Sequence, residues 1–246
     1  MENAHRTLLL TSAANAGVLV EYGARRLLLD GIRSQPFAPF LPTPPQILAE
    51  MLHGPEPSRW RNIDYLFFTH LHPDHFQAQP VEDYLRFNRV QRVFAPQWPL
   101  KPFPGLHLCA PEDGAYVDFA LAPDLSLRII GTAHMGEAYA GMRNNALLLT
   151  AGGRKILFAG DGDAVPAWYQ AAGRVDALFV NPLFLNKRAM AELLEAHAPQ
   201  TVFVYHLTER SQERESLFYW RVAERAAGRL SPQEVRFFPA GTSIAL

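Results

Sequence analysis

Short apolar runs separated by glycine-containing turns occupy the first part of the chain, a pattern typical of β-hairpins. The runs "RTLLLTS", "AGVLVEY" and "RRLLLDG" follow one another, and Gly23 marks the turn between the second and the third. Farther along, "NALLLTAGGRKILFAGD" predicts another hairpin that turns through Gly152 and Gly153. The N-terminal half is expected to be rich in strand hairpins.

Strand and helix patterns alternate in the rest of the chain. Continuous apolar runs in "IDYLFFTH", "DALFVNP" and "QTVFVYH" predict buried strands, whereas "VEDYLRFNRV", "KRAMAELLEAH" and "ERESLFYWRVAERAAG" predict helices. Further strands are predicted at "RVFAP", "GLHLCA", "AYVDFA", "LSLRIIGTAH" and "EVRFFPAGTSIAL", and a short helix at "AVPAWYQAAG". This mixture predicts two sheets with helices on the outside.

A proline-rich segment from Ser34 to Trp60 interrupts this pattern. A helical turn or two is expected around Gln46 to His53, and the aromatic side chains of Phe37, Phe40 and Trp60 argue against disorder. Long connections of this kind are often functional. Two interpretations stay open: a packed surface loop, or a lid that narrows a site and favours a small substrate.

The composition is that of a globular protein with a sizeable core. Hydrophobic residues make up 48% and charged residues 19% of the 246 residues. The formal net charge is -1, so there is no overall attraction to nucleic acids or to anionic membranes. A nucleic-acid partner is therefore disfavoured.

Cysteine content and the N-terminal sequence bear on the compartment. The chain contains one cysteine, Cys109, so no internal disulfide bond can form. The N-terminal apolar stretch is shorter than a secretory signal requires, and no run approaches the ~20 apolar residues of a membrane helix. We therefore expect a cytoplasmic protein without a membrane partner.

The most specific signal is the stretch "THLHPDH", which contains four ligand-type side chains. These are His70, His72, Asp74 and His75. His134, Asp161 and His206 also follow apolar strands, in "LRIIGTAH", "KILFAGD" and "TVFVYH". Taken singly, each of these three would more often be structural, but strand ends are where sheet proteins collect reactive groups. Because imidazole and carboxylate are common ligands of zinc and its neighbours, the pattern predicts a metal site.

The stretch "THLHPDH" resembles the H-x-H-x-D-H signature of the metallo-β-lactamase superfamily, and the later features occur in that family's order. The resemblance covers nearly the whole chain. It implies an α/β fold, a four-layer αβ/βα sandwich with two facing mixed sheets and helices outside. It also implies a single domain over residues 1–246, with the proline-rich insertion at about 34–60.

The resemblance implies two metal ions held by seven side chains. Their ligands would be His70, His72 and His134 for the first ion and Asp74, His75 and His206 for the second, with Asp161 bridging both. Two ions about 3.5–4 Å apart can share a hydroxide, which provides a nucleophile at neutral pH. Zinc is the expected ion, with manganese or iron as alternatives, and Asp74 and Asp161 are the expected catalytic residues.

Features around these ligands disfavour several branches of the superfamily. True β-lactamases often carry Cys where this chain has Asp161, and di-iron oxygen reductases place Glu where it has His72. The run "GTAHMGEAYAG" differs from the "PGHTPG"-like run of glyoxalase II-like thioesterases. Transfer-RNA 3′-processing enzymes carry a long RNA-binding arm that this sequence lacks. The layout of the hairpins is most similar to ascorbate-6-phosphate lactonase-like proteins and related phosphodiesterases.

Other side chains are candidates for supporting or substrate-binding roles. Asp30 and Asp163 are expected to orient ligands by hydrogen bonds, whereas Thr69 and Thr132 have no assigned role. The substrate-binding candidates are Tyr139, Arg143, Asn145 and Phe37, with Asn144 as an alternative to its neighbours. For the arginine and the asparagines, a solvated strand start is the competing interpretation.

The resemblance predicts a dinuclear metal-dependent hydrolase in which a metal-bridging hydroxide attacks a small ester-like substrate, a phosphodiester or a lactone. Two alternatives stay open. One is a di-iron redox protein of the same superfamily, and the other is a metal-retaining binding or regulatory module without turnover. A small-molecule partner is expected, and a homo-oligomer is compatible with the sequence.

Overall fold

The computed structural model describes residues 7–139, 141–211, 214–230 and 234–246. The first predicted strand and the last predicted helix therefore extend in part outside the described residues. The chain divides into two compact units, Met1–Leu108 with Pro239–Leu246, and Cys109–Phe238. Each unit contains one seven-stranded sheet, which confirms the prediction of two sheets. The single domain over residues 1–246 stays a prediction.

The sheet of the first unit combines hairpins with parallel strands. Its strands are β1 (Leu8–Ser12), β2 (Val18–Tyr22), β3 (Arg25–Leu29), β4 (Tyr65–Phe67), β5 (Arg92–Ala95), β6 (Leu106–Leu108) and β14 (Ser243–Ala245). They lie in the order β14-β1-β2-β3-β4-β5-β6, antiparallel up to β3 and parallel from β3 onward. Gly23, with φ 58°, forms the predicted β2–β3 turn. Because β3 and β4 are parallel neighbours, their carboxyl ends lie side by side.

The core of the first unit includes part of the proline-rich segment. Helix α1 (Pro45–His53) confirms the predicted helical turns, and α2 (Ala78–Phe87) follows β4. Trp60 packs in the same hydrophobic cluster as Met51 and Tyr84, and the Tyr84 hydroxyl donates to the Trp60 carbonyl at 3.1 Å. Phe40 is 7% exposed. Both rings are therefore packed, as the packed-loop interpretation expects for these two residues, and the lid stays a prediction.

The sheet of the second unit repeats the same succession of pairings. Its strands are β7 (Tyr116–Ala122), β8 (Leu125–Ala133), β9 (Arg143–Ala151), β10 (Arg154–Phe158), β11 (Ala177–Val180), β12 (Thr201–Val204) and β13 (Glu234–Phe237). They lie in the order β13-β12-β11-β10-β9-β8-β7, antiparallel from β7 to β10 and parallel from β10 to β13. Consequently β8, β10, β11 and β12 all end at one edge of this sheet.

Helices cover the second sheet with apolar faces. They are α3 (Pro166–Tyr169), α4 (Pro182–Leu185), α5 (Met190–His197) and α6 (Arg214–Ala227), with 3-10 turns at Glu137–Tyr139 and Gln170–Ala172. Helix α6 buries Trp220, Ala223 and Ala226, which recur at helical spacing and pack with the sheet residues of the core. Within the described ranges no helix has the length and apolar character that a bilayer span needs.

The C-terminal segment "EVRFFPAGTSIAL", predicted as closing strand, is divided between the two units. β13 pairs parallel with β12, whereas β14 pairs antiparallel with β1. Pro239 lies between the two strands, and the turn is closed by Thr242 N donating to the Pro239 carbonyl at 3.1 Å. Because proline has no N–H to donate to a ladder, the strand breaks there and the chain enters another sheet.

Candidate metal centre

The ligand-type side chains of the first unit lie on a tight loop after β4, residues 68–77, which we name the histidine loop. They are His70, His72, Asp74 and His75, and we name them the first-unit cluster. The backbone N–H groups of His75 and Phe76 both donate to the His72 carbonyl at 2.9 Å. This turn brings the donor atoms of His70 and His72, and those of Asp74 and His75, within 4.8 Å of each other.

Hydrogen bonds that start from Asp30, which follows β3, set the tautomers of two of these histidines. Its carboxylate accepts from Thr69 N at 2.9 Å, Thr69 Oγ1 at 2.6 Å and His75 Nδ1 at 2.9 Å. Since the Thr69 hydroxyl already donates to Asp30, it accepts from His70 Nδ1 at 3.0 Å. Both histidines thus keep the lone pair of Nε2 for a metal ion, and the expected hydrogen bond between Asp30 and a candidate histidine is confirmed.

Distances within the first-unit cluster fit metal ligation. His70 Nε2 lies 3.1 Å from His72 Nδ1, and His75 Nε2 lies 3.7 Å from Asp74 Oδ2. Zinc bonds to nitrogen and oxygen are about 2.0–2.2 Å long, so donor atoms at these separations can share one ion. His70 and His75 are fully buried and His72 is half-buried.

In the second unit, the Asp161 carboxylate lies between two imidazoles. Its Oδ2 is 3.7 Å from His134 Nε2 and 3.7 Å from His206 Nε2. His134 Nδ1 donates to the Met135 carbonyl at 2.7 Å, so the lone pair of that ring is on Nε2. We name His134, Asp161 and His206 the second-unit cluster.

Two asparagines fix Asp161. Asn181 Nδ2 donates to Asp161 Oδ1 at 2.7 Å, and Asp161 N donates to Asn144 Oδ1 at 3.0 Å. Asn181 also caps α4, since its side chain accepts from Phe184 N at 2.8 Å. Asn181 was not among the residues predicted from the sequence. The signal was present, because Asn181 directly follows the buried strand "ALFV" in the same way that His134 follows β8.

Gly162, next to Asp161, lies in a polar cradle that has no room for a side chain. A Cβ at this position would come within 2.5 Å of Thr132 Oγ1, 2.7 Å of the Tyr169 hydroxyl and 3.0 Å of Asn144 Nδ2. Burial raises the pKa of Tyr169 far above its usual value, so this phenol stays protonated and donates to the Asp163 carbonyl at 3.2 Å. The backbone after Asp161 is therefore held closely by neighbouring polar groups.

Two site residues have left-handed backbone conformations. Asp30 has φ 43° and His206 has φ 55°. This region costs an L-residue roughly 1–2 kcal/mol, and non-glycine residues there are uncommon. Asp30 is the first residue after β3 and His206 the second after β12, so the left-handed backbone directs their side chains to positions that extended backbone would not reach.

The first part of the proline-rich segment, residues 34–43, is attached to the histidine loop. We name it the 34–43 loop. The Gln77 side chain accepts from Ser34 N and Gln35 N, each at 2.9 Å, and donates to the carbonyls of Gln35 and Pro73 at 2.8 and 3.0 Å. Phe37 is 43% exposed. The exposed Phe37 ring therefore belongs to a loop that is hydrogen-bonded to the histidine loop.

The predicted substrate-binding residues have different environments. Tyr139 is half exposed, and its ring lies 5.0 Å from that of His134 in an edge-to-face contact. Arg143 forms a surface salt bridge with Asp113 at 2.8 Å. Asn145 is buried, and its Nδ2 donates to the Cys109 carbonyl at 2.7 Å, so a substrate would have to displace that hydrogen bond. Of these, Tyr139 is beside a candidate ligand.

Two of the expected supporting residues behave differently. The Asp163 carboxylate pairs with Lys187 at 2.8 Å and accepts from Ala164 N, so the expectation that it orients a ligand is wrong. Thr132, which had no assigned role, accepts from Asn144 Nδ2 at 2.9 Å. Thr132 therefore supports Asp161 through Asn144.

Comparisons with known proteins give matches in structure. No family model and no curated protein sequence matches the chain. The metallo-beta-lactamase fold protein YhfI from Bacillus subtilis is 14% identical, with a TM-score of 0.65 over 98% of this chain and 100% of that one. An isothiocyanate hydrolase from Delia radicum gut bacteria is 14% identical, with a TM-score of 0.61 over 97% and 99%. CmlA, a diiron β-hydroxylase from Streptomyces venezuelae, is 15% identical, with a TM-score of 0.56 over 100% of this chain and 55% of that one.

Further solved structures that match are described as metal-dependent hydrolases. At such low identities, similarity of coordinates shows the fold alone. The two mixed seven-stranded sheets, each with its helices, agree with these neighbours and confirm the predicted α/β sandwich class. The chain therefore has the metallo-β-lactamase fold.

Proposed function

We propose that the protein is a metal-dependent hydrolase that uses two divalent metal ions. Its ligands would be His70, His72 and His134 for one ion and Asp74, His75 and His206 for the other, with Asp161 shared. Zinc is the proposed ion, because imidazole nitrogen and carboxylate oxygen both suit it, and manganese and iron are the alternatives.

The observation that carries this proposal is the placement of Asp161 Oδ2 at 3.7 Å from Nε2 of both His134 and His206. Asn181 binds the other carboxylate oxygen. A carboxylate held in this way can offer one oxygen to two ions, whereas a carboxylate that only balanced charge would have no need of two imidazole neighbours. Preset ring protonation at His70, His75 and His134 supports the same conclusion.

The roles of the protein side chains follow from their positions. Bound divalent ions supply a water of lowered pKa and a Lewis acid for the scissile group. Asp74 is proposed to accept the proton of the attacking water, since its Oδ2 lies 3.7 Å from Nε2 of His75, another proposed ligand. Tyr139, half exposed beside His134, is proposed to donate a hydrogen bond to a substrate oxygen.

The proposed substrate is small and ester-like, a phosphodiester or a lactone. Exposed apolar side chains on the 34–43 loop, Phe37 and Leu41, support a substrate that carries a compact apolar group. The ascorbate-6-phosphate lactonase-like and phosphodiesterase-like branch stays a prediction. The isothiocyanate hydrolase among the structural neighbours adds isothiocyanates to the compounds that deserve a test.

A di-iron redox protein is the second candidate, because a diiron β-hydroxylase covers the whole of this chain in structure. Against it, position 72 is a histidine rather than the glutamate of di-iron oxygen reductases. Iron content, visible absorption and consumption of oxygen separate this candidate from a hydrolase. A metal-retaining module without turnover would bind the ions and hydrolyse none of the compounds tested.

The test combines metal content with activity. Protein purified without chelator, and apo protein reloaded with zinc, manganese or iron, is analysed for bound metal and assayed against phosphodiesters, lactones, thioesters and isothiocyanates. We expect two equivalents of metal per chain and turnover of at least one ester-like compound. Asp161→Ala is expected to lose one equivalent or more together with most activity.

His197→Ala provides the matched control. His197 is also a buried histidine of the second unit, but its Nδ1 donates to the Gly173 carbonyl at 2.7 Å, away from the second-unit cluster. This variant is expected to be less stable and to keep its metal. A wild-type protein that never exceeds one equivalent contradicts the dinuclear model.

A further inference from the structure

Arg33 is a fully buried cation that contacts the histidine loop. Its Nη1 donates to Asn15 Oδ1 and to the Asp74 carbonyl at 2.7 Å, and its Nη2 donates to the Leu41 carbonyl at 2.9 Å. The side chain is 0% exposed. One guanidinium therefore joins the β1–β2 connection, the histidine loop and the 34–43 loop, all within the first unit.

The surroundings of Arg33 are unusual for a buried cation. Its three acceptors are neutral oxygens, and its Nε has no hydrogen-bond partner within the described part of the chain. Burial lowers the pKa of Arg33, and the charges of Asp74 and Asp30 act in the opposite direction. Burying a cation without an ion-pair partner is costly, so a residue that served only to fill space would be better as methionine or leucine.

We propose that Arg33 is a positioning residue for metal binding, which holds the histidine loop in its ligand-ready conformation and offsets the carboxylates of Asp30 and Asp74 before any ion binds. This inference rests on the proposed metal site. The Asp74 carbonyl lies on the same residue as one proposed ligand and next to His75, so a guanidinium fixed on that carbonyl fixes the direction of both side chains.

The fixed loop has a consequence for metal affinity. In the wild type the loop is ordered before the ion binds, so binding does not have to order it. Without Arg33, ordering of residues 70–75 would accompany binding, and the acidic side chains would repel each other in the apo protein. Loss of a group that orients metal ligands lowers metal affinity by about 10–100-fold.

The experiment compares wild type, Arg33→Met and Arg33→Lys. Zinc affinity for each equivalent is measured by competition with a chromophoric chelator, and Tm is measured for apo and zinc-loaded protein. For Arg33→Met we expect zinc affinity to fall by about 10–100-fold, most strongly for the equivalent that uses Asp74 and His75. Arg33→Lys keeps the charge without the forked geometry and is expected to lie between Met and wild type.

Arg61 offers a control with the same chemistry. Its guanidinium donates to Asn88 Oδ1 and to the carbonyls of Gly54 and Phe87, also within the first unit. Arg61→Met therefore removes an equivalent set of hydrogen bonds from a region without proposed ligands. We expect it to lower Tm by a similar amount in the apo and loaded protein and to leave zinc affinity unchanged.

Asn15→Ala covers the case in which Arg33→Met does not fold. It removes one acceptor and keeps the guanidinium, and we expect a smaller loss of zinc affinity in the same direction. Wild-type zinc affinity in all folded Arg33 and Asn15 variants, with only Tm lowered, overturns the inference while the metal site stands. A wild-type protein that binds no zinc, manganese or iron overturns the proposed function and the inference together.

Discussion

At the scale of single residues, one carboxylate governs the chemistry of the first-unit cluster. Asp30 accepts hydrogen bonds from the Thr69 hydroxyl and from His75 Nδ1, and the Thr69 oxygen in turn accepts one from His70 Nδ1. Each proton held on Nδ1 leaves Nε2 as a ligand atom. Asn181 has the corresponding role in the second unit. Its amide donates to Oδ1 of Asp161, and Oδ2 lies 3.7 Å from Nε2 of both His134 and His206.

Replacing Asn181 by serine should separate its two roles. Serine is a good helix N-cap, so its hydroxyl can still accept from Phe184 N. The serine side chain is, however, too short to reach Asp161. We expect little change in Tm and about 10–100-fold weaker metal affinity, measured by chelator competition. Asn145→Ala is the control, because that buried amide donates to the Cys109 carbonyl instead of a ligand. Equal metal affinity in Asn181→Ser and wild type would contradict a positioning role.

The left-handed backbone of His206 gives a second prediction. Alanine at position 206 keeps the Cβ that makes φ 55° unfavourable, whereas glycine removes it. Apo His206→Gly should therefore be more stable than apo His206→Ala by about 1 kcal/mol in urea unfolding, although both lose metal affinity. If the alanine variant is as stable as the glycine variant, position 206 carries no strain.

At the scale of elements, strand direction explains why the candidate ligands collect where they do. In the first unit β3 and β4 are parallel, so Asp30 and the histidine loop emerge at the same edge. In the second unit β10, β11 and β12 are parallel, and β8 runs in their direction because two antiparallel pairings separate it from β10. Asp161, Asn181, His206 and His134 follow these four strands.

In the 34–43 loop, Phe37 and Phe40 allow a substrate-binding role of an aromatic ring to be compared with a packing role. Phe37 is 43% exposed and Phe40 is 7% exposed, although each hydrogen-bonds the other's backbone. Phe37→Ala should raise KM for the true substrate and leave metal content and Tm nearly unchanged. Phe40→Ala should destabilise the protein by about 3 kcal/mol, because a buried ring is removed. An unchanged KM in Phe37→Ala would show that the exposed ring does not contact substrate.

At the scale of the whole molecule, the proposed ligands are divided between the two units of the chain. Four of the proposed ligands belong to the Met1–Leu108 part and three to the Cys109–Phe238 part. Each unit has three antiparallel pairings followed by three parallel ones, and each presents its ligands after the ends of strands. Neither cluster alone contains the seven proposed ligands, so we expect activity only in the complete chain.

The pH dependence of turnover reports on the proposed metal site as a whole. If the nucleophile is a water whose pKa is lowered by two ions, the active form is the deprotonated one. The ratio kcat/KM should therefore rise with pH through an apparent pKa of roughly 6 to 8 and then flatten. Activity that declines steadily from pH 5 upward would exclude this nucleophile.

The sequence by itself determined the local features. Spacing in "THLHPDH" placed four ligand-type side chains on one loop, and continuous apolar runs placed His134, Asp161 and His206 after strands. The Gly23 and Gly152–Gly153 turns and the helix at Pro45–His53 were predictable for the same reason. Each of these features depends on residues close in the chain, where backbone preference and hydrophobic periodicity act directly.

Tertiary structure alone decided the partners that are distant in the chain. Asp30 and His75 are separated by 45 positions and Arg33 and Asp74 by 41, so no periodicity links them. The roles of Asn181 and Arg33, the burial of Phe40 and Trp60, and the division of β13 and β14 between two sheets all depend on which strands become neighbours. Strand order is set by burial of apolar faces throughout each unit, a property of the folded chain as a whole and not of any one segment.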